Sequence, residues 1–130
     1  MNQSLVNIAL VVDDYDKAIQ FYTETLGFEL VEDSDLGEGK RWVLVRPKGE
    51  GSCRILLAKA SGEKQEKSIG NQTGGRVFLF LHTDDFWQDY HAYTSKGVKF
   101  VREPAEEAYG IVSVFEDCYG NLWDLIEPKG

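Results

Sequence analysis

His82 follows Phe78 and Phe80 at alternate positions in the apolar run from Arg76 to Thr83. If that run is a strand, its period of two sets the three side chains on one face. Such a face offers rings that stack on a planar or cationic ligand and an imidazole that can exchange a proton near neutral pH. Trp42 and Tyr109, with Phe115 and Trp123, supply further rings in or beside other apolar runs. The competing assignment is plain: most rings fill a core, and a lone histidine just before a helix cap more often serves structure or faces solvent. Arg41, Arg46 and Arg54 could instead orient an anionic substrate through paired hydrogen bonds, against the alternative that they are solvated strand-edge residues. His91 falls among polar residues in mid-helix and takes no role.

Other chemistries lack their residues. Gly37 to Gly39 and Gly49 to Gly51 are short turns between strands and not strand-to-helix phosphate cradles, so no nucleotide cofactor is expected. No serine sits on a nucleophile elbow with a histidine assigned to it. Cys53 and Cys118 stand apart, without the paired spacing of a zinc or redox motif, and are expected to be reduced thiols. With 14 basic against 22 acidic side chains, the net charge of -8 disfavours nucleic acid and anionic membranes and leaves a cationic ligand open. The run from Leu5 to Val12 is interrupted by Asn7 and stopped by Asp13 and Asp14, unlike a signal peptide. No stretch approaches the roughly 18 apolar residues of a membrane span. A cytoplasmic protein is the expectation.

The candidate residues need elements to hold them, and 130 residues with 42% apolar content suffice for one domain with a core. Leu5 to Val12 reads as a strand, and Asp13-Asp14 caps a helix in which Ala18, Phe21, Tyr22 and Leu26 recur at helical spacing until Gly27. Strands are expected over Phe28 to Glu32, Arg41 to Arg46 and Arg54 to Lys59, with glycine-bearing turns at Leu36 to Gly39 and Lys48 to Gly51. Ser61 to Gly75 reads as a polar linker or flexible loop.

The same order then returns. Arg76 to Thr83 is a strand, Asp84-Asp85 caps a helix carrying Phe86, Tyr90 and Tyr93, and Gly97 ends it. Strands follow around Val98 to Arg102, Ile111 to Phe115 and Leu122 to Glu127. Asp13-Asp14 aligns with Asp84-Asp85, Tyr22-Thr23 with Tyr93-Thr94, Gly27 with Gly97 and Val31 with Val101. The fold class is therefore α+β, with two βαβββ modules at about 1–60 and 76–130 joined by a linker at about 61–75. One helix covers only one face of a four-stranded sheet, so pairing two modules is the physical reason for duplication, and the two open faces are expected to enclose a cavity.

The segment Val11-Val12-Asp13-Asp14-Tyr15-Asp16-Lys17-Ala18, with Phe21-Tyr22 and Leu26-Gly27-Phe28, resembles the opening module of the glyoxalase/bleomycin-resistance/extradiol-dioxygenase (vicinal oxygen chelate) superfamily. Tyr109-Gly110, Phe115-Glu116-Asp117 and Gly120-Asn121-Leu122-Trp123-Asp124-Leu125 resemble its closing signature, with Cys118 where proline is usual. In metal-dependent members, the first and last strand of each module bring one ligand each. The resemblance puts those positions at Asn7, at Ile55 or Leu56, at Phe78 and at Asp124. Only Asn7 and Asp124 carry donors, short of the three or four protein ligands of a stable catalytic site. Asn7 is thus a candidate pocket amide, and Asp124 the candidate catalytic residue, a general base if an apolar cavity raises its pKa.

The leading functional expectation is a small-molecule-binding protein with a metal-free aromatic pocket and no cofactor, similar to the bleomycin-resistance branch. The alternative is a metal-dependent lyase, isomerase or dioxygenase of the glyoxalase type, with a divalent ion held by a shifted set including Glu116, Asp117 or Glu127. A third reading is an associating subunit or regulator. The resemblance also implies a homodimer.

Overall fold

The computed structural model describes residues 1–49 and 51–130, so Glu50, in the second glycine turn, lies outside the described residues. The chain divides into two units, Met1–Ile69 and Gly70–Gly130. Each is a βαβββ module, and the repeat read from the sequence is realised as two sheets of identical strand order.

In the first unit, β1 (Asn7–Val12) runs parallel to β4 (Arg54–Lys59), with β3 (Lys40–Arg46) and β2 (Glu29–Gly37) following in antiparallel pairing. Helix α1 (Tyr15–Gln20) starts at Asp14, whose carboxylate accepts the Lys17 N–H at 3.0 Å, and continues as one wider turn over Phe21–Thr25. Gly27 closes it at φ 78°. Leu10 and Val12 of β1, Val43 and Val45 of β3, and Leu57 of β4 are fully buried together with Ala18 and Tyr22 of the helix, and Ile55 nearly so. Alternation then assigns Asn7, Ala9 and Val11, Arg54, Leu56 and Ala58, and Trp42 and Leu44 to the opposite face.

β2 is longer than the sequence suggests. It runs on through Asp33–Gly37 because the reversal is confined to Glu38 and Gly39, both at positive φ as a two-residue hairpin turn requires. Within the stretch expected to be a loop, residues Glu63–Glu66 form a short helix, α2.

The second unit repeats the order. β5 (Val77–His82) is parallel to β8 (Leu122–Pro128), and β8 pairs antiparallel with β7 (Gly110–Glu116), which pairs with β6 (Ala105–Glu107). Helix α3 (Phe86–Ser95) is capped by Asp85, which accepts from the Gln88 N–H at 3.1 Å, while the Phe86 N–H donates to Glu127 Oε1 at 2.8 Å. Phe86 and Tyr93 of α3 are buried with Phe115, Trp123 and Leu125, and the Phe115 and Trp123 rings stack at 5.9 Å between centroids.

The expected strand over Val98 to Arg102 is corrected. That segment makes one isolated bridge, Phe100 to Phe115, flanked by the bonds Val101 N–H to Val114 O and Glu116 N–H to Lys99 O. The sheet's outer strand is Ala105–Glu107, beyond Pro104, which has no N–H to give to a ladder.

Candidate functional site

The candidates are best followed on β8, where three consecutive residues show the alternation at work. Trp123 and Leu125 turn towards α3 and are buried, which assigns Asp124 to the opposite face. On that face the register sets Phe80 of β5 on one side of Asp124 and Val114 of β7 on the other, with His82 beside Ile126 at the next paired position. Phe80, His82 and Asp124 are thereby brought together by the sequence's own period of two.

Phe78 departs from the expected pattern. The β5–β8 register slips between Val77 and Leu79, so the strict alternation that would align Phe78 with Phe80 and His82 is broken at a bulge. Tyr109 is 59% exposed and sits beyond β7, in the turn after β6, where its carbonyl accepts the Lys129 N–H. The structure does not bring it to Asp124.

Asp124 is half-buried, and burial pushes its carboxyl above the ordinary carboxylate range, with the positive charge of Arg102 pulling the other way. Among the described residues, no side chain or backbone group hydrogen-bonds to this carboxylate, and Arg102 stays beyond ion-pair distance. Phe80 is 64% exposed, the one exposed phenylalanine among the described residues. Arg102 is the participant that sequence reading missed as a neighbour of Asp124. Its place follows from pairing and not from a signal along the chain, since the residues after Val98 lie alongside β7 next to Val114.

In the first unit, Asn7 and Trp42 share the face turned away from α1, with Trp42 36% exposed. The Asn7 Oδ1 accepts from Arg54 Nε at 3.0 Å, so this amide oxygen already serves a cation. Of the two alternatives for the neighbouring position, the register selects Leu56 for the open face and leaves Ile55 on the helix side.

The strand arginines have partners of their own. Arg41 holds Asp33 through Nε and Nη2 at 3.1 and 2.7 Å, reaches Asp16 through Nη1 at 3.0 Å, and lies over the Tyr15 ring at 5.1 Å. Arg46 pairs with Glu29, and Arg54 with Asn7. This engagement ties helix to sheet and strand to strand, and it leaves the idea of an arginine set for an anionic substrate without support.

Two of the shifted carboxylates are likewise engaged. Asp117 accepts from the Tyr119 and Asn121 N–H groups and from Asn121 Nδ2, closing the turn before β8. Glu127 caps α3. Among the described residues, no three His, Cys, Asp or Glu side chains gather as a metal-holding group. Two surface hollows are defined by other residues, one of about 450 Å³ beside Glu29, Arg46, Gly49 and Gly51, and one of about 160 Å³ along Asn71 to Thr73 and Glu116. Neither is lined by Phe80, His82 or Asp124.

Comparison with known proteins adds the following. A sequence profile of the Glyoxalase/Bleomycin resistance protein/Dioxygenase superfamily matches residues 4–125. An uncharacterised protein of Shewanella frigidimarina (strain NCIMB 400) is 59% identical over 128 residues, covering 98% of this chain and 95% of the relative. The crystal structure of UcmS2 is similar with 32% identity and a TM-score of 0.84, covering 98% of this chain and 99% of that one. The crystal structure of TnmS3, an antibiotic binding protein from Streptomyces sp. CB03234, is similar with 30% identity and a TM-score of 0.78, covering 99% of each chain.

Proposed function

This chain belongs to the Glyoxalase/Bleomycin resistance protein/Dioxygenase superfamily, and from that footing we propose that it binds a small molecule on aromatic-lined sheet faces without a resident metal ion. The observation that carries the reading is Phe80, a ring held in the solvent on the open face of its sheet, next to a carboxylate to which none of the described residues hydrogen-bonds. A stable fold gains from covering such a ring, so leaving it out makes sense where a ligand covers it. The description of TnmS3 as antibiotic-binding supports the same class of function.

Metal-dependent chemistry of the glyoxalase type finds a poor donor set. Leu56 and Phe78 have no donor atoms, the Asn7 amide oxygen is turned to a guanidinium, and Asp124 remains as a single carboxylate. These residues do not fit a divalent ion. The reading further includes a cytoplasmic homodimer. The outer strands β1 and β5 carry no Asp, Glu, Lys or Arg, whereas the outer strands β2 and β6 carry Glu29, Glu32, Asp33 and Asp35, and Glu106 and Glu107. Charged edges deter pairing and uncharged ones invite cover.

The test is thermal unfolding of the purified protein with a chelator, with added Ni²⁺, Zn²⁺, Mn²⁺ or Fe²⁺, and with a panel of planar aromatic compounds, because a ligand of the folded state raises the midpoint by mass action. Aromatic compounds should raise it in the presence of chelator. Stoichiometric bound metal with a chelator-sensitive midpoint would transfer the protein to the lyase, isomerase or dioxygenase reading.

A further inference from the structure

Resting on that reading, we propose that the ligand is a planar molecule bearing a protonated nitrogen, its ring lying on Phe80 and its N–H donating to Asp124. The register sets the two side chains beside each other on adjacent strands, which is the spacing at which one small molecule touches both. An ionised carboxylate only accepts hydrogen bonds, and this one is half-buried between Phe80 and Val114 with no donor among the described residues. A cationic N–H supplies that donor where an aromatic face also attracts positive charge.

Other ligand classes meet opposition here. An anion would approach Arg102 but face the Asp124 charge on the same sheet, within a chain of net charge -8 whose field already repels it. A neutral aromatic would gain from Phe80 and leave the carboxylate unsatisfied. Arg102 is exposed and forms no ion pair with Asp124, so the carboxylate remains open to a donor from outside the chain.

The experiment compares three fluorescent probes of similar shape, 9-aminoacridinium, anthracene-9-methanol and anthracene-9-carboxylate, by titration at neutral pH in chelator. The proteins are wild type, Asp124→Asn, Asp124→Ser and Phe80→Ala, each first shown to be folded by circular dichroism. The expected result is tightest binding of the cation and a loss on the order of 10- to 100-fold for it in both Asp124 variants, the range of a hydrogen bond between charged partners. The neutral probe should shift by less than about threefold in those variants, and Phe80→Ala should weaken all three probes. Equal binding of the three probes, or a cation preference that survives both Asp124 variants, overturns the inference while small-molecule binding stands. If none of the probes binds, the aromatic-face reading and the inference fall together.

Discussion

Phe80 and Phe115 lie in the same module and are the same residue type, yet they are 64% and 0% exposed, so truncating each to alanine isolates what burial contributes. Fully burying a phenylalanine is worth about 1.5–3 kcal/mol, so a ring left two-thirds in solvent contributes about 0.5–1 kcal/mol to folding. Phe115→Ala removes a ring stacked on Trp123 and edge-on to Tyr93 and leaves a cavity, which costs about 3–5 kcal/mol. At roughly 3–6 °C per kcal/mol for a chain of this length, Phe80→Ala should lower Tm by about 2–6 °C and Phe115→Ala by more than about 10 °C. Ligand affinity should respond in the opposite order, since loss of the stacking ring costs about 1–3 kcal/mol of binding. Urea and thermal unfolding followed by circular dichroism at two protein concentrations, with ligand titration of the Phe80 variant, measure all of this. A loss above about 2 kcal/mol in Phe80→Ala would refute the reasoning, because the ring would then be packed in solution. If that loss grew with protein concentration, a second copy would be the cover.

Three further outcomes follow from named contacts. Asp124 has a folded pKa raised above the unfolded value of 3.8 by burial, so its contribution to stability is fully present below that value and is lost as pH rises through the folded pKa. Asp124→Asn should therefore gain on the wild type as pH rises above 3.8 and through the folded pKa, with the gain absent below 3.8, and a pH-independent difference in urea stability would contradict it. The groups bearing on this carboxyl are Phe80 and Val114 beside it, the charge of Arg102, and His82 at the next paired position on the same face. Asp85→Ala removes the acceptor of the Gln88 N–H at the start of α3 and should cost about 1 kcal/mol in thermal unfolding; an unchanged midpoint would mean that Glu127 alone holds that end. Gly110→Ala would set a Cβ 2.2 Å from the Glu127 carbonyl oxygen at φ 152°, so a loss above about 4 kcal/mol is expected, read as failure to accumulate folded protein, and normal yield would refute the close approach.

Most of the architecture was legible because strong local signals agreed. The acid pairs Asp13-Asp14 and Asp84-Asp85 each end a strand and supply the capping residue, Gly27 and Gly97 close the helices at positive φ, and the order of elements repeats as the aligned residues imply. What escaped lies in register and pairing. Val98 to Arg102 has strand-like composition but makes only one bridge, because pairing with β7 is a non-local choice that composition does not encode. The extension of β2 was hidden by Glu32, Asp33 and Asp35, which read as loop yet suit an outer strand. At the site, alternation was enough to associate His82 with Phe80, while the slip at Val77 to Leu79 undid the inference for Phe78. The partners of Asn7 and the proximity of Arg102 to Asp124 depend on neighbouring strands and were invisible along the chain.

Along β8 the core residues Trp123 and Leu125 alternate with Leu122, Asp124 and Ile126 on the other face. Substitutions on the two faces touch separate sets of neighbours and so act almost independently. If that face binds the ligand as proposed, a lineage carrying this module can rewrite its molecular preference at Phe80, Asp124 or Ile126 while the residues that keep the chain above its folding threshold stay untouched. Alternation in a strand thus gives descent with modification two ledgers in one stretch of gene, one for persistence and one for novelty.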